Sequence, residues 1–305
     1  MNSRLPSRPT QIALARIAAL AAAALALAFA GTAAAKKLYA ATAHEEADGR
    51  SAGVLYVVDP ATGHSRVIGP IRIDGGEAVA VDGLAVHPKT GVLYAITAGP
   101  PGEARLITID TRNGYAQAIG PLGERGADMQ FDKDGKLYTW LLNAGRLGVI
   151  DLATGRVHPL QKTDIPPSRT AGLAINPQGL AIVAARVSKG VFDEVDPVTG
   201  SVVGGFALID ASIINAVNAL AISPGGALFA VNTSKEGRTK RELISIDTES
   251  GNIMRIGALP DEVDALAFDQ DPHEARQSKL GLFLFIATVF LLLNLAGWYR
   301  WRNSG

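Results

Sequence analysis

The chain has 305 residues, no cysteine and a formal charge of zero, with 33 glycines and 16 prolines. Without cysteine there is no disulfide framework, thiolate metal site or cysteine nucleophile, so stability outside the cytoplasm would rest on packing and strand pairing. Residues 36 to 269 carry 22 Lys plus Arg against 27 Asp plus Glu, which argues against a nucleic-acid partner, whose footprint would be a basic patch.

Residues 1 to 35 open with Arg4, Arg8 and Arg16, continue with an Ala/Leu run from Ile17 to Ala30 and end in Ala33-Ala34-Ala35. A basic start, an apolar stretch and an A-x-A site predict a secretory signal peptide cleaved after Ala35. The alternative is an uncleaved anchor, because Ile17 to Ala35 nearly reaches spanning length.

From Lys37 the chain is repetitive. Asp82 to Leu122 breaks at its turn signals into four short apolar runs, Leu84 to Val86, Val92 to Thr97, Leu106 to Asp110 and Tyr115 to Ile119, which is the pattern of one four-stranded antiparallel blade. The first run recurs at Met129, Leu173, Leu220 and Leu266, in steps of 45, 44, 47 and 46 residues. So even a period predicts an all-β propeller. Lys37 to Thr42 (KLYAAT) matches Val92 to Thr97 (VLYAIT), a second strand, so the chain enters in mid-blade. The missing innermost strand is Leu266 to Asp269. One C-terminal strand plus three N-terminal strands thus close a ring of five blades, which leaves no open end to the array.

The turn between third and fourth strands repeats as DPATG at Asp59, DTRNG at Asp110, DLATG at Asp151, DPVTG at Asp196 and DTESG at Asp247. An Asp that accepts backbone N–H groups and a Gly four residues later fit a tight hairpin with a bulge. These carboxylates lie on different blades and are read as turn formers, not metal ligands. Asp132-Lys133-Asp134-Gly135 starts like a calcium loop, but it fills the slot of HPKTG, NPQG and SPGG and lacks the downstream Glu, so it too is read as a turn. Neither a metal nor a cofactor is expected.

The strings LYVVDPATGHSRVIG and ELISIDTESGNIMRIG, paired with LAxxPxGxLYA, resemble the repeats of bacterial YVTN/NHL-type β-propeller proteins over about residues 37 to 269. The resemblance implies a periplasmic binding, scaffolding or assembly role; related propellers include lactonases and quinoproteins. Five blades are counted where the group commonly has six or seven. No catalytic motif of its enzyme branches is present, so the resemblance carries over no site residue.

Beyond Asp269 a polar linker, 270 to 279, precedes Leu280 to Gly297, 18 residues without a charge, followed by Trp298, Tyr299 and Trp301 and by Arg300 and Arg302. An apolar run of this length with an aromatic belt predicts a transmembrane helix over 280 to 298 and a cytoplasmic tail over 299 to 305. The propeller would then stand on the periplasmic side of the membrane.

Candidate chemistry is sought where the blades converge. The innermost strands begin with Asp82, Ala127, Ala171, Asn218 and Asp264, so Asp82, Asn218, Asp264 and the neighbouring Glu262 are expected at the channel mouth, where they would hold a ligand. The long connections gather on the face opposite the short turns. There Ile209, Ile213 and Ile214 are expected to form an apolar contact, and Lys235, Arg238, Lys240 and Arg241 a basic one, for an extracytoplasmic or integral membrane protein partner. The favoured function is a membrane-anchored scaffolding subunit. The alternative is a hydrolase of a sugar or lactone that uses Asp82, Glu262 and Asp264, since paired carboxylates carry glycoside hydrolysis.

Overall fold

The computed structural model describes residues 37–43, 53–99, 102–168, 171–235, 237 and 239–269. The expected signal peptide (1–35), linker (270–279), transmembrane helix (280–298) and tail (299–305), and Arg238, lie outside the described residues. Among the described residues no helix is long and apolar enough to cross a membrane.

In chain order the strands are β1 (Leu38–Thr42), β2 (Val54–Val58), β3 (Ser65–Pro70), β4 (Arg72–Ile73), β5 (Val81–Val86), β6 (Leu93–Thr97), β7 (Arg105–Ile109), β8 (Tyr115–Pro121), β9 (Gly126–Phe131), β10 (Leu137–Leu141) and β11 (Arg146–Ile150). They continue with β12 (Val157–Pro159), β13 (Leu173–Ile175), β14 (Ala181–Val183), β15 (Val191–Val195), β16 (Val202–Ala207), β17 (Val217–Ile222), β18 (Leu228–Thr233), β19 (Arg241–Ile246), β20 (Ile253–Leu259) and β21 (Val263–Phe268). They form five sheets. Blade 2 is β5 to β8, blade 3 is β9 to β12, blade 4 is β13 to β16 and blade 5 is β17 to β20. Blade 1 has the order β21-β1-β2-β3, with Leu38 opposite Phe268 and Ala40 opposite Leu266. The ring therefore closes as the repeat implied, with the last strand completing the blade that the first began.

Strand β9 begins at Gly126 and β13 only at Leu173, whereas β5, β17 and β21 begin at Val81, Val217 and Val263, one residue before the expected Asp82, Asn218 and Asp264. Each of these residues is skipped by the pairing: Val81 and Gly83 oppose Thr97 and Ile96, Val217 and Ala219 oppose Asn232 and Val231, and Val263 and Ala265 oppose Thr42 and Ala41. A bulge at one place in three blades aims one polar side chain out of each ladder. The connection between β3 and β5 holds the two-residue strand β4, which runs parallel to β8 along the outer edge of blade 2.

Five apolar clusters fill the five seams between blades. Tyr39 and Leu55 meet Leu84 and Ile107 between blades 1 and 2, and Ile96 and Leu106 meet Met129 and Leu137 between blades 2 and 3. Trp140 and Leu147 meet Leu173 and Val183 at the next seam. Ile182 and Phe192 then pack on Leu220 and Ile244, and Val231 and Leu243 close the ring against Leu38 and Leu266. Strands of the inner two rows bury nearly every residue, which is why their sequences read as mostly apolar runs.

The turn aspartates serve their turns. Asp151 accepts the N–H groups of Ala153 and Thr154 at 2.8 and 3.0 Å, and Asp59, Asp110, Asp196 and Asp247 accept equivalent bonds. Arg112 lowers the pKa of Asp110 to about 2, and backbone N–H groups lower those of Asp151 and Asp196. Asp132 likewise accepts from the N–H groups of Asp134 and Lys136, each at 2.9 Å. The turns also lock neighbouring blades. Gly155 has φ +78°, and a Cβ there would lie 2.6 Å from the carbonyl oxygen of Gly120 on the preceding blade. Glycine is required both for the left-handed backbone and for the close approach.

Candidate binding site at the channel mouth

The five inner strands line the central channel. Immediately before their apolar runs, Gly83, Asp128, Gly172, Ala219 and Ala265 share one level. Here the strands nearly touch: a Cβ on Gly83 would lie 2.9 Å from the carbonyl oxygen of Ala127, and one on Gly172 2.9 Å from the carbonyl carbon of Ala219. Only Asp128 among the five has a long side chain. Its Oδ2 accepts the N–H of Leu173 on blade 4 at 3.0 Å and of Leu220 on blade 5 at 2.8 Å, while Oδ1 accepts from Met129 at 2.9 Å. Asp128 is fully buried. Burial pushes its pKa well above the usual carboxylate range, against the pull of these three N–H donors. One carboxyl thus ties three blades together across the axis.

Above this level the bulges place the expected channel-mouth residues. Asp264 accepts from Asn218 Nδ2 at 2.5 Å and from Arg241 Nε at 2.8 Å; the same guanidinium reaches Glu262 at 3.4 Å and the carbonyl of Val263 at 3.1 Å. Asn218 also donates to Thr233 Oγ1 at 3.2 Å. Glu262 has a left-handed backbone, φ +60°, held on both sides by bonds from its N–H to Thr239 and from Ala43 to its carbonyl. A non-glycine residue in this region carries strain that the surroundings must maintain. Asp82 occupies the same bulge position on blade 2. The structure therefore brings Asn218, Glu262 and Asp264 together, and it adds Arg241 to them.

The residues expected on the loop face separate. Arg241 is only 5% exposed and is the first residue of β19, so it belongs to the mouth network. Lys240 pairs with Asp261 at 2.8 Å near the surface, and Lys235 donates to the carbonyl of Ser212. Ile214 is buried and Ile213 packs against the seam between blades 4 and 5. Ile209 is 71% exposed, but its N–H bonds to Gly251 of a third-to-fourth-strand turn, which puts it on the perimeter of the ring.

At the opposite end of the channel is a depression of about 310 Å³. Gln130, Phe131, Tyr138, Ile175, Ile222 and Pro224 are among the residues that line it. Gln130, like Asp128, stands where the other four blades carry a small residue: Ala85, Ala174, Ala221 and Ala267. Sequence reasoning missed both polar residues, although alignment of the five inner strands isolates them. Among the described residues no group of three or more His, Cys, Asp or Glu could hold a metal ion.

No family model matches the chain, and no curated protein matches it. Among solved structures, one titled "Crystal structure of Nidogen/Laminin Complex" is 10% identical, with 77% of this chain and 98% of that chain covered and a TM-score of 0.49. A protein of unknown function from Bacteroides caccae is 12% identical, with 78% and 100% covered and a TM-score of 0.47. The fold itself, an all-β propeller of five blades, is set by the strand pairing described above.

Proposed function

We propose that this chain is a membrane-anchored extracytoplasmic β-propeller that acts as a protein-binding or scaffolding subunit of a membrane complex. The observation that carries this reading is the state of the channel: its walls meet at the Gly83 to Ala265 level, and Arg241, Asp264, Glu262 and Asn218 are linked by hydrogen bonds above it. Such an end offers a surface to another macromolecule rather than a funnel to a small substrate. The hydrolase alternative needs one carboxyl as acid and another as base or nucleophile. Glu262 and Asp264 instead both accept from one buried guanidinium, that of Arg241. The repeat resemblance to YVTN/NHL-type proteins, with its scaffolding role, agrees with this choice.

The test is recovery of a stoichiometric membrane partner on the full chain in gentle detergent. Replacing Lys235 and Lys240 together with Glu should reduce recovery without lowering the melting temperature, since exposed charges contribute little to stability. Undiminished recovery would overturn the assignment of the loop face. Absence of any stoichiometric partner would overturn the scaffold itself.

A further inference from the structure

The outermost strand of every blade presents an unpaired row of N–H and C=O groups, which invites another strand unless something blocks it. Four of the five carry such a block. On β3 it is Arg66 and Pro70, on β12 His158 and Pro159, on β20 Arg255, and on β8 Pro121 together with β4 lying along the edge. β16 reads Val-Val-Gly-Gly-Phe-Ala and ends its sheet with β15 as sole neighbour. A bulge also occurs on β16, at Val203, but β3, β8 and β20 have one too, so it does not set this edge apart.

Exposure points to the same place. Of the eight large hydrophobic residues exposed among the described residues, four, Val198, Val202, Val203 and Ile209, lie in one stretch of blade 4. Residues 198 to 209 contain no charge and no proline. Clustering of this kind marks an interaction surface, whereas scattered exposed residues are ordinary. The main-chain edge dictates that the occupant is an extended strand. The fold already shows one such addition, β4 on β8.

We infer that blade 4 pairs with blade 4 of a second copy of this chain, β16 against β16 in antiparallel register about a twofold axis. A twofold contact sets each residue's patch against itself, so it demands a strand without like charges. On β3 or β20 it would bring Arg66 or Arg255 toward its own copy. On β16 itself it brings together valines and glycines; the Glu194 carboxylate that lies over Gly204 belongs to β15, the next strand inward. The two four-stranded blades become one eight-stranded sheet, and the valines and Ile209 of each copy are covered. The inference stands apart from the identity of any scaffold partner.

The contact is narrow, so trapping reads it best. Because the chain has no cysteine, a single Val203→Cys substitution in the full chain gives one reactive thiol, at a position 55% exposed. Treated with a short bis-maleimide in gentle detergent, this variant is expected to run mainly as a covalent dimer. Val67→Cys on β3, 56% exposed, is expected to stay monomeric. Adding Val202→Lys to Val203→Cys should cut the cross-linked fraction about tenfold, as two ammonium groups then meet across the edge. A monomeric Val203→Cys, equal cross-linking of Val67→Cys, or no effect of the lysine would each overturn the pairing.

Discussion

Asp128 Oδ2 accepts the backbone N–H of Leu220 at 2.8 Å, a bond that spans 92 residues of sequence and crosses the channel between blades that are not neighbours. With its bond to Leu173, it makes one buried side chain the shared acceptor for two inner strands. Asp128→Ala leaves both N–H groups buried without an acceptor, at about 1–3 kcal/mol each. The melting temperature is therefore expected to fall by roughly 5–20 °C for a domain of this size. A shift of only a degree or two in a calorimetric scan would show that the strands hold the channel without it.

The same residue predicts a pH dependence. Its folded pKa is raised by burial, so the neutral form suits the folded state and the unfolded chain loses the proton first. Its contribution to stability is therefore fully present below the unfolded pKa, near about 4, and is lost as pH rises toward the folded value. Asp128→Asn keeps the shape and cannot ionise. The variant should gain on the wild type as pH is raised from about 4 to 7. Parallel stability curves in denaturant titrations at several pH values would contradict this.

Arg241 answers to two carboxylates, Asp264 and Glu262, while 5% exposed. Removing one member of a buried ionic group costs about 3–5 kcal/mol, because the remaining charges lose their counter-charge. Arg241→Met should therefore lower the melting temperature by about 10 °C or more. Lys235→Glu should leave it nearly unchanged, its side chain being exposed. If the two variants melt alike, the network at the mouth is not structural, and Arg241 returns to the set of partner contacts.

The ring was legible in the sequence because its turns are chemically strict. A D-x-x-x-G turn needs an acceptor and a left-handed glycine at fixed spacing, and five copies of it, with KLYAAT displaced to the front, reveal both the blade count and the closure. The bulge residues Asp82, Asn218 and Asp264 were found for a related reason, as polar groups abutting apolar runs at the start of an inner strand. Arg241 was misplaced because a cation after a polar loop reads as solvated, and only the strand register shows it opposite Thr233 and beside Asp264. Asp128 was passed over because a lone aspartate before Met129 looks like the end of a turn. What makes it a core residue is the smallness of Gly83, Gly172, Ala219 and Ala265 at the same level, a contrast visible only between blades.

Ring closure predicts the effect of losing the last strand. Without residues 263 to 268, β1 loses its inner neighbour, and Leu38 and Ala40 lose Phe268 and Leu266 from their ladder. An apolar edge inside the ring is then open to other chains. Deleting these residues from the full chain is expected to give insoluble or rapidly proteolysed protein. A soluble variant that melts like the wild type would mean that β21 is dispensable to the fold.

Two glycines with the same backbone twist separate local strain from packing between blades. Gly91 has φ +71° and nothing within 4 Å of a Cβ, whereas Gly155 has φ +78° and the carbonyl oxygen of Gly120 at 2.6 Å. Alanine at either position meets the left-handed penalty, about 1–2 kcal/mol. At Gly155 it must also displace the backbone of the neighbouring blade, an overpacking cost of about 1–3 kcal/mol more. Chemical denaturation should thus rank Gly155→Ala below Gly91→Ala by that margin. Equal losses would show that the turn glycines serve only their own hairpins, and the seams would then be held by the apolar clusters alone.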